Sequence, residues 1–167
     1  MSRKSVCVIA IAVAMVLLLV GTAAANTATF KGKTVTIHGD KSPGKWESPF
    51  TINDIACKNN VVYVATDKII KIVDISSART PVGIQSLLPG GKQIEIKRDY
   101  MYIRTTDGTL RLYDVKNKFK ARFVKEYKFD SSLKIFEIHG INLYTYHSDK
   151  TSRVYKINSG GILTLKK

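Results

Sequence analysis

Two histidines and two glutamates are the residues of this chain whose types could support catalysis or metal binding. His139 and His147 lie eight residues apart with Asp149 close by, so imidazole and carboxylate groups could hold a metal ion after folding. Glu95 and Glu137 could act as a paired acid and base if folding brought them to the right separation. No nucleophile elbow, zinc-protease helix, Walker loop or dinucleotide-binding glycine pattern accompanies them. We therefore predict no catalytic residue, metal or cofactor, and keep a small hydrolase or metal-dependent enzyme as an alternative.

A basic stretch with interleaved aromatic residues offers a different kind of chemistry. Seven Lys and Arg residues lie between positions 111 and 128, opposed by two acids, in a chain whose 27 Lys+Arg and 13 Asp+Glu give a net charge of +14. Such a stretch can bind lipid headgroups, cell-wall polymers or acidic glycans through its summed field and partial stacking. Lysines on an edge strand also oppose edge-to-edge aggregation, which is an equally physical explanation.

Three copies of one pattern must position all of these residues. Tyr63, Tyr102 and Tyr144 each lie in an apolar run, and they are 39 and 42 residues apart. An alternating run precedes each tyrosine and a second apolar run follows it, with turn residues such as Asp107-Gly108 between them. A fourth strand is predicted in each unit, at residues 82–88, 122–129 and 162–165. After residue 25 no apolar stripe of helical period is long enough to predict a helix. The sequence therefore predicts an all-β domain over residues 51–167, made of three tandem four-stranded units.

The first unit carries a family resemblance. Its residues 61–82 read VVYVATDKIIKIVDISSARTPV, with a tyrosine-containing strand, a turn, and an apolar strand that ends in Asp, Ser and Pro. This pattern resembles the LVIVD repeat, a propeller-forming motif of exported bacterial and archaeal proteins. The matching positions are Tyr63, Val73, Asp74, Ser76 and Pro81. The second unit keeps Tyr102, Gly108, Leu110, Leu112 and Asp114. The third keeps Tyr144, Val154 and Tyr155 but has Lys156 in place of the aspartate.

The number of units decides between several architectures. A four-stranded unit of about 40 residues is the size of a β-propeller blade, and closed propellers use about 4–8 blades. Residues 26–50 form an N-terminal extension predicted to add one or two strands, since residues 34–37 alternate well. We predict a β-propeller-like fold, either partial or completed by oligomerisation, with a β-trefoil as the alternative.

The first 25 residues have the organisation of an export signal. Arg3 and Lys4 precede an apolar run over residues 6–20, and small residues end at Ala25. We predict a signal peptide over residues 1–25, cleaved after Ala25, with an uncleaved membrane anchor over residues 6–25 as the alternative. Both predictions place the remainder outside the cytoplasm, secreted or in the cell envelope.

Cys57 is the only cysteine after residue 25, so that part of the chain cannot form an internal disulfide. The other repeats carry Ile96 and Ile138 at its position, which predicts that Cys57 is a small core residue. Pairing with a cysteine of another chain is the alternative.

These observations predict a non-enzymatic module at the cell surface or envelope that binds a protein or an anionic polymer or headgroup. Export argues against nucleic acid, although the same positive field would attract it. A structural subunit that joins copies through sheet edges is the alternative. The predicted contact residues lie first in or near the loops of one end of the repeats, and second in the basic stretch. The first set is Lys92, Arg104 and Lys150, and the second is Arg111, Lys118 and Arg122.

Overall fold

The computed structural model describes residues 26–39 and 43–166, which contain fifteen strands and no α-helix. The predictions for residues 1–25 lie outside this range. Within it, no helix has the length and apolar character needed to cross a membrane. The strands are β1 (Thr27–Lys31), β2 (Thr34–His38), β3 (Gly44–Glu47), β4 (Ile52–Lys58), β5 (Val61–Thr66), β6 (Ile70–Asp74), β7 (Val82–Leu87), β8 (Gly91–Lys97), β9 (Tyr100–Thr105), β10 (Leu110–Asp114), β11 (Arg122–Tyr127), β12 (Leu133–His139), β13 (Asn142–His147), β14 (Ser152–Ile157) and β15 (Leu163–Leu165).

Consecutive strands pair as antiparallel meanders, and they form four sheets in chain order. We call them blade 1 (β1–β3), blade 2 (β4–β7), blade 3 (β8–β11) and blade 4 (β12–β15). The register repeats, because Tyr63 pairs with Ile72, Tyr102 with Leu112 and Tyr144 with Val154. The prediction of an all-β chain with three tandem four-stranded units is confirmed. Separate four-stranded meanders are the topology of propeller blades and differ from the trefoil alternative.

The N-terminal extension differs from its prediction, because it forms three strands where one or two were expected. The Gly32 carbonyl, in the β1–β2 turn, accepts a hydrogen bond of 2.9 Å from the amide of Ile52 at the start of β4. The Gly108 carbonyl, in the β9–β10 turn, accepts one of 3.0 Å from Leu133 at the start of β12. The β1–β2 turn is thus equivalent to the turn between the second and third strands of blade 3. In the described residues, blade 1 therefore has the three outer strands of a blade and lacks the inner one.

The hydrophobic core consists of layers between neighbouring blades. Val35 and Ile37 pack with Val62 and Val64 between blades 1 and 2, and Tyr63 lies in the layer between blades 2 and 3. A third layer between blades 3 and 4 contains Tyr102, Leu143 and Phe136. Since each layer needs both of its blades, burial of apolar area holds the blades together as a stack.

The prediction that Cys57 is a core residue is wrong, because its side chain is exposed. Ile96 packs in the layer between blades 2 and 3, and Ile138 packs in the layer between blades 3 and 4. In both cases the preceding blade has an inner strand at that place. Cys57 faces blade 1, where the described residues include no inner strand. Its thiol meets the Ala28 backbone of β1, but the side chain stays exposed.

Candidate functional site: a basic and aromatic groove between blades 2 and 3

An open groove of about 500 Å³ runs between the last strand of blade 2 and the outer strands of blade 3. Strand β7 forms one wall, and strands β10 and β11 form the other. Its lining combines aliphatic, aromatic and basic side chains: Leu87, Leu88, Arg111, Tyr113, Ala121 and Phe123. The groove thus combines an apolar and aromatic lining with the guanidinium of Arg111.

Arg111 ties the two walls together. Its Nε donates to Glu126 Oε2 at 2.7 Å, and its Nη1 donates to the carbonyl oxygen of Leu88 in blade 2 at 2.9 Å. The guanidinium carbon also lies 6.0 Å from the ring centre of Phe123, within range of a cation–π contact. Because Nε and Nη1 make hydrogen bonds within the protein and Glu126 pairs with the guanidinium, Arg111 shapes the groove more than it offers an unpaired charge.

Two apolar side chains at the groove are strongly exposed. Leu88 is 72% exposed, and Phe123 is 57% exposed although it lies edge-on to Tyr113 with ring centres 5.7 Å apart. Clustered exposed apolar side chains usually mark an interaction site in a soluble domain. Leu88 was not among the predicted contact residues. Leu88 lies in the link between two repeats, and an apolar residue in a link does not by itself predict a binding site.

Unpaired positive charge lies on the other face of the edge strand β11. Phe123 pairs with Tyr113 on the face turned to blade 2. Lys125 pairs with Leu112 and Arg122 with Asp114 on the face turned to blade 4.

Arg122 and Lys125 are exposed on β11, and neither forms an ion pair within residues 26–39 and 43–166. The ammonium groups of Lys118 and Lys125 lie 4.7 and 5.1 Å from the ring centres of Phe119 and Tyr127. The predicted residues Arg111, Lys118 and Arg122 therefore lie on one part of blade 3 and its loop, with an aromatic surface beside them.

The other three predicted contact residues are not part of this groove. Lys92, at the start of β8, forms an ion pair with Asp67 in the β5–β6 turn. Lys150 is exposed in the β13–β14 turn. Arg104 is half-buried on β9, and its buried Nε has no hydrogen-bond partner among the described residues. None of these three side chains lines the groove.

The matched glutamates lie on adjacent inner strands, β8 and β12, beside Asp54 on β4. Burial, helped by the charges of Asp54 and Glu137, raises the pKa of Glu95 to about 7. A backbone hydrogen bond from Ile138 and the charge of His139 act in the opposite direction. Burial likewise raises the pKa of Asp54 above its usual range, opposed by hydrogen bonds from Ile94 and Ile55 and by the charge of Arg104. The repeat thus brings acids together along the inner strands, where one of them holds a proton near neutral pH.

The histidines are held in different surroundings. His139 is exposed at the end of β12, with Nε2 3.1 Å from Glu137 Oε2. His147 is buried at the other end of the β12–β13 hairpin, with Nδ1 3.2 Å from the Ser131 carbonyl oxygen and Nε2 2.9 Å from Thr145 Oγ1. Hydrogen bonds from Thr151 lower the pKa of Asp149 to about 2. No three His, Cys, Asp or Glu side chains are grouped to hold a metal in the part of the chain that the structure describes.

No protein-family model matches the chain, and no curated protein matches it. Among solved structures, it is similar to one chain of a complex in which S. cerevisiae Dbp5 is bound to Nup159, Gle1, IP6 and ADP, with a TM-score of 0.62 and 12% identity over 85% of this chain. It is also similar to a functionally unknown protein from Desulfotomaculum acetoxidans DSM 771, with a TM-score of 0.66 and 12% identity over 80% of this chain. A third similar structure is the β-propeller domain of Cps50 (Swd1) from Myceliophteria thermophila, with a TM-score of 0.64 and 14% identity over 81% of this chain.

This chain spans 40%, 48% and 51% of the lengths of those three chains. The likeness therefore shows a partial β-propeller-like fold, an arc of consecutive blades.

Proposed function

We propose that the chain is an exported, non-enzymatic β-propeller-like module of the cell surface or envelope that binds an acidic partner protein through the groove between blades 2 and 3. The observation that carries the proposal is the exposed pair Leu88 and Phe123 in the groove, with the cations of β11 exposed on the other face of that edge strand. The amino-terminal pattern of residues 1–25 and the resemblance to the LVIVD repeat support the export and envelope parts of the proposal.

The groove suits a partner that presents an apolar side chain with acidic neighbours. An aromatic or aliphatic side chain placed between Leu88 and Phe123 would remove both from water, and such buried anchors supply most of the energy of an interface. Carboxylates of a partner that also wraps the edge strand β11 would meet Arg122 and Lys125 on its other face, which speeds association and sets orientation. The similar structure from S. cerevisiae was solved in a complex with other proteins, which supports a protein as partner.

An anionic polymer or headgroup is the second candidate, because the exposed cations of blade 3 would attract it without help from the groove. The two candidates differ in what they require of Leu88 and Phe123. A polyanion depends on the summed charge, whereas an acidic protein also needs the apolar centre.

Binding to synthetic probes separates the two candidates. A random copolymer of Glu and Tyr supplies acids with aromatic anchors, and poly-glutamate and vesicles of neutral and anionic phospholipid supply charge alone. We expect the full chain, recovered from the exported fraction, to bind the copolymer at least about tenfold more tightly than poly-glutamate, since one buried aromatic contact is worth about 1–2 kcal/mol.

The variants Leu88→Ser and Phe123→Ser should remove this preference. Ile141→Ser is the matched control, because Ile141 is 50% exposed in the turn between β12 and β13, outside the groove. Equal binding of all three probes, unchanged by the groove variants, would favour the anionic polymer and overturn the acidic-protein partner.

Export has its own measurement, the mass of the species recovered outside the cytoplasm. We expect that species to lack residues 1–25. A chain that stays inside the cytoplasm would contradict this part of the proposal.

A further inference from the structure

Blade 4 has one face packed on blade 3 and one face with no blade against it in the described residues. We call the second the terminal face. Its apolar side chains follow from the register, because Ile135 pairs with Tyr146 and Tyr144 pairs with Val154. Ile135 is 44% exposed and Tyr146 is 40% exposed. The terminal face thus has an apolar centre in contact with water. Polar side chains share the face in the same register, with Glu137 beside Tyr144 and Ser152 beside Tyr146.

In the preceding blades, the residues at the same repeat positions lie in the interfaces between blades. Tyr63 and Tyr102, the equivalents of Tyr144, are 0% exposed in the layers that join blade 2 to blade 3 and blade 3 to blade 4. Ile72 and Leu112, the equivalents of Val154, are 0% exposed as well. The terminal face therefore continues the kind of surface that already joins blades within this chain.

At one position, the terminal face has an apolar residue where blades 2 and 3 have a hydrogen-bonding one. In blade 2, Asp54 Oδ2 accepts a hydrogen bond of 2.9 Å from the amide of Ile94 in the next inner strand. In blade 3, Gln93 accepts from the amide of Phe136 at 3.1 Å and donates to its carbonyl oxygen at 2.6 Å. The equivalent residue of blade 4 is Ile135, nine residues before its tyrosine. A surface that covers blade 4 therefore meets an apolar side chain where a following blade of this repeat would meet a hydrogen-bonding one.

The opposite end of the stack does not complement this face. The face of blade 1 turned away from blade 2 carries threonines and charged side chains, in register as Thr29 with Thr36, Thr36 with Lys45 and Thr34 with Glu47. Thr29 Oγ1 and His38 Nε2 are already joined at 3.0 Å on that face. Head-to-tail stacking of two chains would bury these polar groups against Tyr144 and Ile135, and unpaired burial of polar groups is costly.

We propose that a second copy of this chain covers the terminal face, so that two blades 4 pack face to face around a two-fold axis. A two-fold contact joins the same patch of both copies, and of the two ends the terminal face is the one with an apolar centre. Three strands of about six residues and the three-residue β15, about 4.8 Å apart, give roughly 350 Å² per copy, below the ~1,000 Å² in total that a stable interface buries. The dimer is therefore weak, with a dissociation constant of about 1–100 µM.

Sedimentation equilibrium of the full chain from the exported fraction, from about 1 to about 500 µM, tests the proposal across this range. Ile135→Gln is the decisive variant, because Gln93 is accommodated at the equivalent position of blade 3. We expect it to weaken self-association at least about tenfold, since it places a polar group in the contact. Tyr146→Ser removes exposed apolar area from the same face and should act in the same direction, so it serves as the second variant if Ile135→Gln lowers the unfolding midpoint.

Val82→Lys is the matched control, since Val82 is 60% exposed on β7, the outer edge strand of blade 2. A monomer over the whole concentration range would overturn the proposal. Self-association that survives Ile135→Gln and Tyr146→Ser but is lost in Val82→Lys would also overturn it, because the contact would then be a sheet edge. The groove variants Leu88→Ser and Phe123→Ser lie on other blades and should leave the dimer intact, so failure of the proposed function and failure of the dimer are distinguishable.

Discussion

The hydroxyl of Tyr102 donates a hydrogen bond of 2.6 Å to the carbonyl oxygen of Gly161, and both lie in the interior between blades 3 and 4. Tyr63 occupies the equivalent position in blade 2, but its buried hydroxyl has no hydrogen-bond partner among the described residues. Burial raises the pKa of Tyr63 to about 12. The tyrosine hydroxyl at this repeat position thus has a hydrogen-bond partner in one interface and none among the described residues in the other.

This difference predicts opposite results for one substitution. Tyr102→Phe should lower the free energy of unfolding by about 1–3 kcal/mol, because it leaves a buried carbonyl without its donor. Tyr63→Phe should be neutral or raise stability by up to about 1 kcal/mol, because it removes an unpaired buried hydroxyl. Urea unfolding followed by the fluorescence of Trp46, the one tryptophan, measures both. Equal losses in the two variants would contradict the interpretation.

Asp54 supplies a second comparison, because its carboxylate accepts the Ile94 amide across the interface between blades 2 and 3. Asp54→Ala should destabilise the protein by about 1–3 kcal/mol, since a half-buried donor loses its acceptor. Asp54→Asn should cost less than half as much, because its amide oxygen can still accept that bond. If Asp54→Asn unfolds as easily as Asp54→Ala in urea, the charge of Asp54 matters and the hydrogen bond does not.

The raised pKa of Glu95 predicts how the free energy of unfolding depends on pH. Burial raises the pKa of Glu95 from 4.5 to about 7, so the folded protein keeps a proton that the unfolded chain has already lost between these values. Unfolding then releases a proton, and the free energy of unfolding falls as the pH rises from 4.5 to 7. Glu95→Gln should therefore exceed the parent protein in stability by about 1–2 kcal/mol above pH ~8, a value reduced for partial exposure, and should match it near pH ~5.

Urea unfolding at several pH values measures this dependence. Glu137→Gln is the informative partner variant, because the charge of Glu137 contributes to the raised pKa of Glu95. Glu137→Gln should lower the pKa of Glu95, so the pH range over which the stability falls should move to lower values. A stability difference between Glu95→Gln and the parent that stays constant with pH would contradict the assignment.

Gly161 tests how tightly the turn before β15 packs on blade 3. Its φ is +74°, and a Cβ atom there would lie 2.4 Å from Tyr100 Cγ. Gly140 has a φ of +60° with no atom within 4 Å of such a Cβ. Gly140→Ala should therefore cost about 1–2 kcal/mol for the backbone alone, and Gly161→Ala should cost at least about 2 kcal/mol more because of the clash. Calorimetric midpoints that shift equally would contradict the close contact.

The cations of blade 3 predict a salt dependence. Binding of the Glu–Tyr copolymer should weaken roughly tenfold between about 50 and about 300 mM salt, because the charges of β11 are exposed and therefore screened. Arg122→Glu combined with Lys125→Glu should lower both the affinity and its salt dependence. Lys31→Glu combined with Lys33→Glu on blade 1 makes the same change in net charge away from the groove and should have little effect. Salt-independent binding would reject an electrostatic contribution.

The amino-acid sequence determined the local structure, because alternation and turn residues act over a few positions. The spacing of Tyr63, Tyr102 and Tyr144 predicted three four-stranded units, and β7, β11 and β15 lie where a fourth strand was expected. The same spacing predicted that Glu95 and Glu137 are equivalent, which puts them on adjacent inner strands. The basic stretch also identified one wall of the groove.

Only the tertiary structure decided what each repeat position faces. Cys57 occupies the position of Ile96 and Ile138 but lies in solvent, and Tyr144 occupies the position of Tyr63 but lies on an open face. Leu88 became a groove residue because blade 3 stands beside it. A repeat specifies which side chains point to its neighbours, whereas burial depends on whether a neighbouring blade is there to exclude water.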